Sequence, residues 1–132
     1  MVKVLALDIG GRRTGMAETD PLAMMAFPLK TVDTGSLMAV LEEYVATEGT
    51  QTIVIGKPSI ATDSTEIIDL WAAKIHRRWP LMEIVFVDED FTSKEASQML
   101  IMGGVKKSKR KQKGTLDKVA ASLILERYLA MH

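Results

Sequence analysis

Three groups of carboxylates stand where the chain can gather them. Asp8 closes the apolar run Val4-Leu5-Ala6-Leu7 and is followed at once by Ile9-Gly10-Gly11-Arg12-Arg13-Thr14-Gly15. An acid at the end of a buried strand is costly unless it is paired, hydrogen-bonded or bound to metal. The glycines after it let a ligand, a phosphate or another stretch of backbone come close. A tight hairpin in which Asp8 only bonds turn amides explains the segment equally well. Val87-Asp88-Glu89-Asp90 sets three acids in a row at the end of a second apolar run. They repel one another and need cations or solvent. Alternation along a strand sends Asp88 and Asp90 to one face and Glu89 to the other, so only part of the trio can serve one site, and the alternation does not say which. Asp117 opens the last helical pattern, where a carboxylate favours the helix dipole. Taken alone it is a helix-start acid. Ala120 and Ala121, one turn on, would let that helix lie close to a sheet and carry Asp117 toward the strand ends.

Carboxylates from two strand ends and a helix start describe a site for one or two Mg²⁺ or Mn²⁺ ions, hard cations that take oxygen ligands. Two such ions ~4 Å apart can activate water and stabilise the leaving oxygen in phosphodiester cleavage, with no protein nucleophile. The chain has no cysteine, which excludes disulfides, thiolate metal sites and cysteine nucleophiles. His76, beside Arg77 and Arg78, falls on a solvated helix face and His132 is terminal. Neither is a catalytic candidate.

The elements that must position these acids can be read from period and punctuation. Residues 2–8 form a buried strand, and Gly10, Gly11 and Gly15 bracket a tight turn. A second strand runs from about Thr14 to Thr19, broken by Asp20-Pro21. A third covers about Met25 to Val32, with Pro28 suiting an edge. Leu37, Val40, Leu41, Tyr44 and Val45 then recur at helical spacing, with Ser36 as cap. Thr52 to Ile55 is a short buried strand closed by Gly56 and Pro58. Ile67, Leu70, Trp71 and Ile75 mark a second helix ending near Trp79-Pro80, and Glu83 to Asp88 is another buried strand. Thr92-x-x-Glu95 is a capping box for a third helix that stops at Gly103-Gly104. Leu116 to Met131 is the last helix. The order predicts an α/β fold: a five-stranded mixed sheet, an antiparallel meander plus two parallel strands, with helices on both faces. Sites in such sheets form beyond the carboxyl ends of the parallel strands, where Asp8, Gly56 and Asp88-Glu89 fall. The arrangement is RNase H-like.

Length and composition are those of one soluble domain: 132 residues, 47% apolar and 26% charged. The apolar runs are far shorter than the ~20 residues a membrane span needs. The N-terminal segment reads as a strand, too short and too soon interrupted by an acid for a signal peptide. A cytoplasmic protein is expected. Net charge is zero but unevenly placed. Lys106, Lys107, Lys109, Arg110, Lys111 and Lys113 take six of the 17 basic residues, leaving 11 against 17 acids, a net of −6 elsewhere. A basic loop on an acidic body is either a phosphate-backbone footprint or a solvated loop.

Several segments together carry a resemblance. Asp8-x-Gly10-x-x-Arg13-x-Gly15, Asp20-Pro21-Leu22 with Pro28-Leu29, Ile53-Val54-Ile55-Gly56-x-Pro58, Asp88-Glu89-x-x-Thr92-x-x-Glu95-Ala96, and Lys113 through Asp117-Lys118-x-Ala120-Ala121 to Tyr128-Leu129 lie in order at compatible spacing. Taken so, the chain resembles the YqgF family, also called RuvX, of Holliday-junction resolvase-like and pre-16S rRNA nuclease proteins. The resemblance implies a single RNase H-like domain over residues 1–132 and metal-dependent cleavage of structured nucleic acid, either an rRNA precursor or branched DNA. It carries the catalytic and metal-binding site onto Asp8, Glu89 and Asp117, with Mg²⁺ or Mn²⁺ as cofactor, and so chooses Glu89 from the acidic trio. Arg13 and the six basic residues between Lys106 and Lys113 are the candidate substrate contacts. No nucleotide cofactor and no membrane partner is expected, and the protein would act as a monomer or homodimer. Three departures stand out: Asp90 where the family usually has Arg, Lys57 where it usually has an apolar residue, and a 59–64 loop without the usual glycine. They bear on substrate contacts. Two rivals share the fold. A sugar-kinase-like phosphotransferase would need two such domains, and a non-catalytic nucleic-acid-binding or ribosome-associated factor would bind without cutting.

Overall fold

The computed structural model describes residues 3–20, 22–59, 63–88 and 115–131. Five strands form one sheet: β1 (Val4–Ile9), β2 (Arg13–Thr19), β3 (Ala26–Asp33), β4 (Thr52–Lys57) and β5 (Glu83–Asp88). Their spatial order is β3-β2-β1-β4-β5. The first three pair antiparallel, whereas β1–β4 and β4–β5 are parallel. Three helices complete the described fold: α1 (Leu37–Glu48), α2 (Asp63–Arg78) and α3 (Thr115–Met131). None is long and apolar enough to cross a membrane.

Alternation along β1 divides the interior in two. Leu5, Leu7 and Ile9 point to one face, where they pack with Met16, Ile53 and Ile55 against Leu37 and Leu41 of α1 and Ile68, Trp71 and Ile75 of α2. Val4 and Ala6 point to the other, where Ala17, Val54 and Val87 meet Ala121, Ile124, Leu125 and Tyr128 of α3. The predicted mixed sheet with helices on both faces is therefore the observed one. Each fully buried Leu or Ile contributes on the order of 1.5–3 kcal/mol of transfer free energy. Their placement on a period of two fixes the register, because a one-residue slip would turn every one of them to the wrong layer.

Two local expectations need correction. Ser36 precedes α1 but its side chain makes no capping bond; the chain enters the helix through a 3-10 turn, Thr34–Ser36. The helix instead ends on Gly49, left-handed at φ 66°, whose N–H bonds Val45 O. β5 was expected to be buried, yet of its six residues only Val87 is. It is the outermost strand of the sheet, so its side chains have a strand neighbour on one side alone. β3 lies at the opposite edge, as Pro28 suggested, and its register with β2 shifts at Met16/Ala17. The capping box at Thr92, the third predicted helix, the stop at Gly103-Gly104 and the basic run lie outside the described residues.

Candidate active site

The site begins at the carboxyl end of β1. Asp8 shares its face with Val4 and Ala6, which makes it the residue of β1 that continues the α3-facing row beyond the apolar core. It pairs directly with Gly15 of β2, and opposed residues of an antiparallel pair project to the same side. Gly15 sends no side chain there, and the first turn of α3 fills the space. A Cβ on Gly15 would stand 2.8 Å from Lys118 N and closer still to the carbonyl group of Asp117. Glycine is the only residue that permits this approach. Asp8 and Asp117, 109 positions apart in sequence, thus flank one glycine. The buried Ala120 and Ala121 allow the rest of the turn to follow, as their size suggested.

The turn between β1 and β2 is fixed from a third direction. Gly10 N donates to Arg13 O at 2.9 Å, and a Cβ on Gly10 would lie 2.8 Å from that same oxygen. Thr34, 6% exposed, donates its hydroxyl to Gly10 O at 2.7 Å and its N–H to Arg12 O at 2.9 Å. Its hydroxyl also meets that of Thr14 at 2.9 Å. Thr34 therefore staples the turn that follows Asp8. Nothing in the sequence pattern singled it out, since its partners are backbone oxygens of a segment 22–24 residues earlier.

Arg13 lies two residues before Gly15 on the same face of β2, and its guanidinium reaches α3. Its Nε donates to Asp117 Oδ2 at 2.8 Å, with the two side chains 37% and 28% exposed. The predicted substrate contact thus holds one of the predicted metal ligands. The interaction has the length of a charge-assisted bond. Beyond it, the N–H groups and dipole of the first turn of α3 also favour a negative group there.

The other departures and candidates are placed as follows. Lys57, at the end of β4, extends to the opposite layer, where Nζ bonds Asp69 Oδ1 of α2 at 2.9 Å and lies 5.0 Å from the Phe86 ring centroid. Its charge is engaged with α2 rather than with the Asp8–Asp117 side. Asp88 is exposed, and its carbonyl accepts from Arg127 Nη1 of α3 at 2.6 Å. His76 is exposed on α2, the solvated position expected of it. Glu89, Asp90 and the residues Lys106, Lys107, Lys109, Arg110, Lys111 and Lys113 lie outside the described residues.

The donor set suits a hard divalent ion. Asp8 and Asp117 supply carboxylate oxygens from two elements around a glycine, and no thiolate exists to favour a softer metal. Among the described residues no three His, Cys, Asp or Glu converge on one point. Val85 and Val87 of β5 pack toward α3.

Solved structures share this RNase H-like architecture. RuvC of T. thermophilus, in complex with a Holliday junction substrate, matches with a TM-score of 0.60 at 17% identity, over 99% of this chain and 96% of that one. The fowlpox virus Holliday junction resolvase also gives 0.60, at 13% identity, over 99% and 100%. At such identities the likeness establishes the fold. The family follows from sequence: the RuvX model, described as Holliday junction resolvase, matches residues 2–131, and the chain belongs to that family. A relative from Christiangramia forsetii is 40% identical over 98% of both chains. One from Porphyromonas gingivalis is 38% identical over 98% of this chain and 96% of its own. Both carry the name "Putative pre-16S rRNA nuclease".

Proposed function

We propose that the protein is a Mg²⁺- or Mn²⁺-dependent nuclease that hydrolyses phosphodiester bonds in structured nucleic acid. The observation that carries this reading is that Gly15, the strand partner of Asp8, admits the main chain of Asp117 to within contact distance at the carboxyl end of the central strand. Asp8, Asp117 and Glu89 are the residues that would hold the ion. When bound, the metal supplies an activated water and a counter-charge to the phosphate. The chain itself presents carboxylates from a rigid strand end and a helix start, with the Thr34 staple fixing the turn between β1 and β2. The names of the relatives point to precursor rRNA, and the solved neighbours act on four-way DNA junctions. The substrate is one of these two, and the same site chemistry serves both.

The test is cleavage of precursor 16S rRNA and of a four-way DNA junction with Mg²⁺ or Mn²⁺, using wild type and Asp8→Asn. Wild type should cut at least one of them, and the variant should bind it but leave it intact, with a normal fold by circular dichroism. Binding of both substrates by wild type with no cleavage in either metal would replace the nuclease reading with that of a non-catalytic binding factor.

A further inference from the structure

Arg13 is a strongly basic side chain that the structure places on a proposed metal ligand, and what it does there differs from what a phosphate clamp would do. The pair spans 104 residues of sequence and joins β2 to the first turn of α3. Its Nε engages Oδ2 of Asp117 at 2.8 Å. The contact engages one carboxylate oxygen, Oδ2, and restricts the rotation of the group, leaving Oδ1 as the oxygen a cation would use. Gly15, two residues along the same strand and on the same face, sets the backbone of Asp117 by admitting it to within contact distance. The two residues act in sequence on one ligand: Gly15 places its main chain and Arg13 orients its side chain.

We infer that Arg13 is a positioning residue for the Asp117 carboxylate rather than a contact for substrate phosphate. The inference rests on the proposed function, because it takes Asp117 as a metal ligand. Its physical basis is separate. A free aspartate at a helix start samples several rotamers, and each metal contact must otherwise pay for freezing it. A guanidinium is planar and always charged, with N–H directions fixed by its geometry. Held by Nε, the carboxylate is ordered before the ion arrives. Partners that orient metal ligands in this way typically govern ~10–100-fold of metal affinity. The positive charge works in the opposite sense by repelling the ion. Arg13 and Asp117 are more than a quarter exposed, so water screens that repulsion while the directional bond is kept.

The experiment measures Mn²⁺ binding by calorimetry without nucleic acid, and nucleic-acid binding against salt in EDTA, for wild type, Arg13→Gln, Arg13→Lys and Asp117→Asn. For Arg13→Gln we expect about ten-fold weaker Mn²⁺ binding and an unchanged salt slope. Arg13→Lys, which restores the charge without the planar fork, should recover only part of the Mn²⁺ affinity. A phosphate contact would give the reverse: unchanged Mn²⁺ affinity in Arg13→Gln and a slope flatter by ~0.7–0.9. That result, or tighter Mn²⁺ binding in Arg13→Gln, overturns the inference. Asp117→Asn separates the two levels. If it weakens Mn²⁺ binding while Arg13→Gln does not, the positioning role fails and the metal site stands. If Asp117→Asn itself binds Mn²⁺ as wild type does, both fail.

Discussion

Gly15→Ala adds one methyl group to the centre of the site without touching a carboxylate. In an ordinary strand the change would stabilise, since glycine costs roughly 0.5–1 kcal/mol there through its backbone entropy. Here the new Cβ would stand 2.8 Å from Lys118 N and nearer still to the Asp117 carbonyl. Ordinary contact needs ~3.5 Å or more, so the helix start must retreat by about 1 Å. The atoms met are all main chain, so no side chain can swing aside, and α3 is held by Ile124 and Leu125, both fully buried. Overpacking of this kind costs ~1–3 kcal/mol. A net destabilisation of about 2 kcal/mol corresponds to a fall in Tm of ~6–10 °C for a domain of this size. The consequence for function is larger. Displacing a reacting group by 1 Å costs on the order of 100-fold in rate, so the variant should lose about that much cleavage and bind Mn²⁺ more weakly at temperatures where it is folded. Gly35→Ala is the control, because its Cβ meets nothing within 4 Å. Thermal unfolding and Mn²⁺ calorimetry on both variants decide the matter. Wild-type Tm and wild-type Mn²⁺ affinity in Gly15→Ala would refute the claim that this glycine sets the position of Asp117.

Three further outcomes are expected. Asp90→Arg exchanges an acid for a base beside Glu89 and should tighten nucleic-acid binding, most clearly at low salt; a filter-binding titration showing equal or weaker affinity would give Asp90 another role. Replacing Lys109, Arg110 and Lys111 with serine should lower affinity for all substrates alike and flatten the salt slope by ~2–3 units if each touches phosphate, whereas a wild-type slope would make the run a solvated loop. Asp20 holds the β2–β3 turn by accepting from Met24 N at 2.7 Å and Met25 N at 2.9 Å, and the bond from Met25 leads in lowering its carboxyl below the usual 3.8. Its stabilisation is therefore complete above that value and lost as pH falls through the lower folded one, so Asp20→Ala should destabilise at neutral pH and converge with wild type in acid melts. Equal Tm at neutral pH would dismiss the turn as a contributor.

The sequence by itself determined the layers and their order. The period of two in Val4 to Ile9 and the helical period through Leu37, Leu41 and Val45 are local records of which side each residue buries, so strand and helix could be read without knowing what lay opposite. Meander followed by crossovers then left one sensible sheet. Family likeness named Asp8, Glu89 and Asp117, and in the fold Asp8 pairs with Gly15 while the main chain of Asp117 lies against the same glycine. The tertiary structure decided what local pattern cannot encode. Gly15 read as a residue bracketing a turn at the start of the second strand, and it matters because a helix a hundred residues later rests on it. Thr34 carries no mark in the sequence pattern, yet it bonds two carbonyls of the Asp8 turn. Ser36 had the right type and position for a cap and makes no capping bond, because the preceding 3-10 turn settles the helix entry. Arg13 read as a candidate substrate contact, and its Nε donates to Asp117. For Gly15, Thr34 and Arg13 the deciding partner is a backbone atom or a carboxylate far away in sequence, and a pattern of neighbours carries no information about a contact that exists only once the chain has closed.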